Sequence, residues 1–231
     1  MRRRHFTLLE LLVVVAVIAV LSALLVPGLV AARERARGVL CTSNLRQVGV
    51  LITMYAGDND DCSMPADFGG AIDSWINFAC AELNASPAMF ACPAMKPDEC
   101  FDPYGGNIAP YNAVTEASYV MNTVRRGQWT GAVLGGNPAL CCGFGDGTAE
   151  VVHFGEVGRP HKKIMVVDAL QGITSQDARG IVYFLETDHG PIPDDRDVGI
   201  HHSGGYNALY GDGHVKHMGQ SNAEQWAAVQ H

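Results

Sequence analysis

After a basic start, the chain is almost continuously apolar from Leu8 to Val30. From Leu11 to Val26 every residue except Ser22 is apolar, and the whole apolar stretch Leu8–Val30 has 23 residues. As a helix it would be about 34 Å long, close to the roughly 30 Å of a bilayer's hydrocarbon core. A secretory signal peptide has a shorter apolar stretch that ends in a small-residue cleavage site. The stretch here is longer, and no such site follows it. The pattern therefore predicts a membrane-spanning helix.

The next segment is apolar on one side. Its apolar positions recur at alternating spacings of four and three residues: Cys41, Leu45, Val48, Ile52 and Tyr55. This is the repeat of a helix with one buried face, and Gly57 is a natural end for it. One helix is therefore predicted from about Thr7 to Tyr55, first through a membrane and then against a globular head.

The last third of the chain has the pattern of strands. Apolar or alternating runs occupy residues 163–168, 181–185, 206–210 and 214–218. Asp212 lies between two glycines and between two of these runs, which predicts a β-hairpin. Residues 62–160 contain few candidate strands and many turn residues. Together with the long helix, the pattern predicts an α+β head with an antiparallel sheet.

Net charge and cysteine content narrow the classes of function that fit the chain. The 231 residues carry 24 acidic and 16 basic side chains, so the net charge is −8, which argues against nucleic acid binding. The chain has seven cysteines and no Cys-x-x-Cys pair. Disulfides are expected if the head is exported, but the pairing cannot be derived from spacing.

The start of the apolar stretch carries a resemblance. The run from Phe6 to Ala16, with Glu10 as its one acidic residue, resembles the prepilin signature of type IV pilins and type II secretion pseudopilins. This resemblance implies that a prepilin peptidase cuts between His5 and Phe6 and that Phe6 is N-methylated. It also implies that Glu10 pairs with the terminal amine of a neighbouring subunit, which would offset the cost of each charge in lipid. The residue before the cut is usually Gly in this family and is His5 here.

Two further features resemble one subgroup of bacterial pilin-like proteins. His202 precedes Asp212 and Gly213 with the spacing of the subgroup's H-x9-DG motif, and residues 41–47 also match the subgroup. The implied organisation is a leader at residues 1–5, a helix at 6–57 and an exported head at 58–231. The helix is expected to be transmembrane over 6–30 and amphipathic over 31–57. Because Cys92-Pro93 recurs in the subgroup, a Cys41–Cys92 disulfide is one expected bridge.

The resemblance implies a structural subunit rather than an enzyme. The chain would be part of a type IV pilus-like or type II secretion pseudopilus filament. Its expected partners are prepilin peptidase, other pilin-like subunits and an inner-membrane assembly platform. It would cross the bacterial inner membrane once, with the head in the periplasm or at the cell surface. The alternative, favoured by His5, is a membrane-anchored binding protein that never polymerises and holds a metal in its His/Asp-rich head.

Histidines and aspartates are dense between residues 188 and 217. By analogy with major pseudopilins, calcium would bind Asp194, Asp195 and Asp197, although no residue-by-residue calcium motif is present. We prefer the interpretation that these are polar turn residues, with His202 hydrogen-bonding near Asp212 to fix the hairpin, because no established metal-ligand spacing occurs. No nucleophile motif supports a hydrolytic site.

Overall fold

The computed structural model describes residues 7–65, 74–95, 117–123, 153–168, 181–183, 202 and 204–219. Two helices are present among them, α1 (Leu8–Asp58) and α2 (Trp75–Glu82). Five strands follow in chain order: β1 (Tyr119–Thr123), β2 (Ile164–Asp168), β3 (Ile181–Tyr183), β4 (Tyr206–Tyr210) and β5 (Val215–Met218). The chain divides into two compact units, with the boundary between Arg37 and Gly38.

The first unit is the apolar half of α1. Every Leu, Val and Ile side chain from Leu8 to Val30 is at least 48% exposed. This half of the helix is long and apolar enough to cross a membrane, and Pro27 lies inside it without ending it. A soluble surface rarely exposes so much continuous apolar area, so this segment needs lipid or protein around it.

The second unit contains the rest of α1, whose predicted apolar stripe is confirmed. Cys41, Leu45 and Val48 are fully buried and Ile52 is 1% exposed. Gly49 faces β4 so closely that an added Cβ would lie 2.9 Å from the Leu209 Cδ1 atom. The stripe predicted from spacing alone is therefore the face that packs on the sheet.

α1 extends slightly beyond its predicted end, which is about Tyr55 with Gly57 as the cap. The helix continues through Gly57 to Asp58, and the chain then turns left-handed at Asp60 (φ 54°) and Asp61 (φ 61°). The Asp61 N–H donates to the Ala56 carbonyl at 2.9 Å, which satisfies a carbonyl at the helix end. Aspartates adopt this conformation more readily than most residues, so they terminate the helix instead of the glycine.

The strands form one sheet in the order β3-β1-β2-β4-β5. The pairs β1–β2, β2–β4 and β4–β5 are antiparallel, as predicted, whereas β3 pairs with β1 in parallel. The central strand β2 is buried at all five residues, which explains its continuous apolar run. Three of the four strand runs in the last third, at 163–168, 206–210 and 214–218, agree with the structure to within one residue. The run at 181–185 is a strand over Ile181–Tyr183, and its last two residues lie outside the described part.

Candidate functional sites at the start of α1 and in the head

The start of α1 is a capping box built from Thr7 and Glu10. The Glu10 N–H donates to Thr7 Oγ1 at 3.2 Å, while the Thr7 N–H and hydroxyl each donate to Glu10 Oε2 at 2.9 Å. This reciprocal pair satisfies backbone donors that a helix start otherwise leaves without partners. Glu10 thus has a local role as well as the filament role expected of it, and the Thr-x-x-Glu spacing is the sequence signal for it. His5 and Phe6 lie outside the described residues.

Four potential metal ligands converge in the core of the head. Cys41 comes from α1, Cys92 from the turn after a short 3-10 helix (Pro87–Phe90), Asp168 from the last position of β2, and His202 from the segment before β4. One ligand atom from each residue lies within 4.8 Å of those of the others. All four residues are buried, and the Asp168 carboxylate is completely inaccessible to solvent. We call these four residues the donor cluster.

The contacts inside the donor cluster are short. Cys41 Sγ lies 3.1 Å from Asp168 Oδ1, and Cys92 Sγ lies 3.2 Å from His202 Nε2. The same Nε2 atom is 3.4 Å from Asp168 Oδ2. The His202 imidazole therefore contacts the Cys92 sulfur and the Asp168 carboxylate through the same ring nitrogen, Nε2. A catalytic Cys-His-Asp relay needs the nucleophile and the carboxylate on opposite ring nitrogens, so this arrangement is unsuited to one.

Buried side chains around the cluster orient its members. The Tyr119 hydroxyl donates to Cys41 Sγ at 3.2 Å, and Asn207 Nδ2 donates to the same sulfur at 3.3 Å. The Asn207 backbone N–H donates to Asp168 Oδ2 at 2.8 Å. Cys41 Sγ thus accepts two hydrogen bonds inside the core, which favours electron density on that sulfur.

The proximity of these groups shifts their pKa values. A hydrogen bond from Cys41 and a second from His202 lower the pKa of Cys92 to about 6, against the opposing effect of burial. The same Cys41–Cys92 hydrogen bond, together with burial, raises the pKa of Cys41. Burial lowers the pKa of His202, but hydrogen bonds to Asp168 and Cys92 outweigh it and raise the pKa to about 10. These shifts favour a Cys92 thiolate and a protonated His202 beside a neutral Cys41 thiol.

The structure separates the two parts of the H-x9-DG motif, and the expected contact of His202 near Asp212 is wrong. His202 points to Asp168 and Cys92, whereas Asp212 Oδ1 lies 2.5 Å from His214 Nδ1 in the β4–β5 turn. Gly213 has φ 85°, which a side chain would disfavour, and its N–H closes the turn on the Tyr210 carbonyl. The motif residues lie beyond the two ends of β4, so spacing in sequence does not bring them together.

The other predicted site residues have mixed outcomes. Cys41 and Cys92 are brought together as expected, and in this structure both are free cysteines, so their disulfide stays a prediction. The proposed calcium ligands Asp194, Asp195 and Asp197 lie outside the described residues. Asp168 was missed by the sequence reasoning. The available signal was a carboxylate at the end of an otherwise apolar, buried strand.

Comparison with known proteins identifies the N-terminal segment. Residues 2–26 match the family model described as the prokaryotic N-terminal methylation motif. The chain is also 47% identical over 57 residues to the type IV wide pilus major component PilA4 of Thermus thermophilus. That match covers 25% of this chain and 44% of the relative's length. No solved structure matches the chain. The N-terminal part of the chain is thus similar to type IV pilins, and an α+β head follows the long apolar helix in the sequence.

Proposed function

We propose that the protein is a subunit of a type IV pilus-like or type II secretion pseudopilus filament, assembled through the apolar half of α1. The observation that carries this proposal is the methylation motif at the start of a helix whose Leu, Val and Ile side chains from Leu8 to Val30 are all exposed in the single chain. Packing such helices together in a filament outside the membrane would keep their apolar surface out of water. At about 25 cal/mol per Å², that burial supplies ample free energy for association.

Processing is part of the proposal. Prepilin peptidase cuts between His5 and Phe6, Phe6 is N-methylated, and an inner-membrane platform adds the subunit to a filament of pilin-like partners. The helix crosses the inner membrane once before assembly, with the head exported. The acidic head and the apolar anchor support this arrangement.

Glu10 would then change partner on assembly. In the single chain its carboxylate accepts two hydrogen bonds from Thr7. In the filament it would face the terminal amine of a neighbouring Phe6, so that two charges that are costly in an apolar surrounding offset each other.

The capping box allows the two roles of Glu10 to be separated. Glu10→Gln keeps the cap because glutamine serves in this position, but it removes the charge. Thr7→Ala does the opposite, since it removes the cap and leaves the charge. We expect Glu10→Gln to reduce incorporation into filaments about tenfold or more, and Thr7→Ala to leave it within about threefold of the original. Glu34→Gln, at an exposed ion pair further along α1, is the matched control.

The measurement is the ratio of filament to membrane protein by quantitative immunoblotting of sheared and membrane fractions. Equal incorporation of the Glu10→Gln and original proteins would contradict the charge-pairing role. The mature N-terminus is determined by mass spectrometry on the same samples. A methylated Phe6 supports processing, whereas an intact Met1 would favour the alternative of a permanent, non-polymerising membrane anchor.

A further inference from the structure

We propose that Cys41, Cys92, Asp168 and His202 form a closed, four-coordinate zinc site in the core of the head. This inference concerns the head alone and does not depend on filament assembly. It rests on the convergence of two sulfurs, one imidazole nitrogen and one carboxylate from four separate segments of the chain.

The distances fit the edges of a zinc tetrahedron. With Zn–S bonds of about 2.3 Å and Zn–N and Zn–O bonds of about 2.0–2.1 Å, tetrahedral ligands lie roughly 3.3–3.8 Å apart. The structure has 3.2 Å between Cys92 Sγ and His202 Nε2 and 3.4 Å between that nitrogen and Asp168 Oδ2. Cys41 Sγ lies 3.1 Å from Asp168 Oδ1. These three distances lie near this range, and one ligand atom from each of the four residues lies within 4.8 Å of the others, so the donors are close enough together to share one ion.

The donor types select the metal. Thiolate and imidazole ligands favour zinc and similar transition metals, whereas calcium and magnesium prefer sites made entirely of oxygen. Four protein ligands in a buried position leave no open place for water or substrate, which is the arrangement of a structural zinc site. A dication would also offset two of the three negative charges of the buried Asp168 carboxylate and the two thiolates, which are costly to bury without a partner.

The surroundings resemble the outer ligand sphere of a metal site. Tyr119 and Asn207 donate hydrogen bonds to Cys41 Sγ, and the backbone N–H of Asn207 donates to Asp168. Such donors orient ligands and stabilise their anionic forms. A Cys41–Cys92 disulfide would join the two sulfurs to each other, and a disulfide sulfur accepts hydrogen bonds from these donors more weakly than a thiol or thiolate sulfur does. The hydrogen-bond arrangement therefore favours reduced cysteines over a disulfide.

The test is metal analysis of the full chain, purified in detergent through a tag without histidine. We expect about one zinc per chain by inductively coupled plasma mass spectrometry. Asp168→Asn and His202→Gln should each reduce this to below about a tenth of the original content. Cys80→Ser and His214→Gln remove a cysteine and a histidine outside the donor cluster, and both should retain the metal.

Two measurements on the unmutated protein keep the test independent of variants that fail to fold. Replacing zinc by Co²⁺ should give the intense visible absorption of tetrahedral coordination and a near-ultraviolet thiolate-to-metal band. Peptide mapping without reduction should find Cys41 and Cys92 as thiols. A Cys41–Cys92 disulfide, or free thiols with no bound metal after zinc addition, would overturn the proposal.

Discussion

The two halves of α1 carry their apolar residues in different patterns and meet opposite surroundings. From Leu8 to Val30 the helix is almost entirely apolar and exposed in the single chain, whereas from Cys41 to Ala56 one stripe is apolar and that stripe is buried. The amount of apolar surface is therefore less informative than its distribution. An apolar stripe can be covered by the chain's own sheet, while apolarity on all sides requires a surrounding that the chain does not supply.

The largest expected effect comes from placing a charge on the buried stripe. Val48→Asp would bury a carboxylate without a partner and should destabilise the head by more than about 4 kcal/mol. Val50→Asp is the matched control, because Val50 is 59% exposed two residues further along and its substitution should cost less than about 0.5 kcal/mol. Urea unfolding in detergent, followed by circular dichroism, measures both. Equal losses of stability would mean that the stripe is not the packing face.

The converse substitution places a charge in the exposed half. Ile18→Lys should leave the unfolding of the head unchanged but weaken membrane insertion by about 2.5–3.5 kcal/mol. The measurement is the distribution of the protein between membrane and soluble fractions, with head unfolding measured in detergent on the same variant. A fall in head stability in the Ile18→Lys variant would show that the exposed half of α1 also contributes to the stability of the head.

The smallest expected effect compares two glycines of the same helix. Alanine favours a helix over glycine by about 1 kcal/mol, and at Gly28 the new methyl group would meet nothing within 4 Å. At Gly49 it would lie 2.9 Å from the buried Leu209 side chain, where overpacking costs about 1–3 kcal/mol. Gly49→Ala should therefore lower head stability by about 1 kcal/mol, and Gly28→Ala should leave it unchanged. An increase in stability from Gly49→Ala would contradict the close approach of α1 and β4.

Local patterns determined how much of the fold was predictable. The stripe of α1 and the strands β2, β4 and β5 follow from periodicity within each segment, and Gly213 marks the hairpin. The short α2 and β1 were not predicted. α2 has only eight residues and is supported by Ser74, whose hydroxyl accepts the Ile76 N–H, and by contact of Trp75 with Phe90. The parallel β1–β3 pair joins distant segments, which no local pattern specifies.

The absence of a local pattern also explains why the donor cluster of the head was not predicted. The sequence singles out Cys41 for a disulfide and His202 for a contact in the hairpin, and neither as a ligand of this cluster. The contacts that define the cluster join residues 127 positions apart in one case and 110 in another. Spacing rules recognise metal ligands on one hairpin or one helix, so ligands from four segments leave no such signature.

The wide spacing of the cluster has a consequence for the order of biosynthesis. Cys41 and Cys92 both emerge from the ribosome long before Asp168, and His202 comes last, 110 residues after Cys92. Until then the two thiols share an unfinished chain without the histidine and carboxylate that complete their surroundings. The timing of synthesis and export therefore sets how long the two thiols are open to oxidation before all four donors can come together.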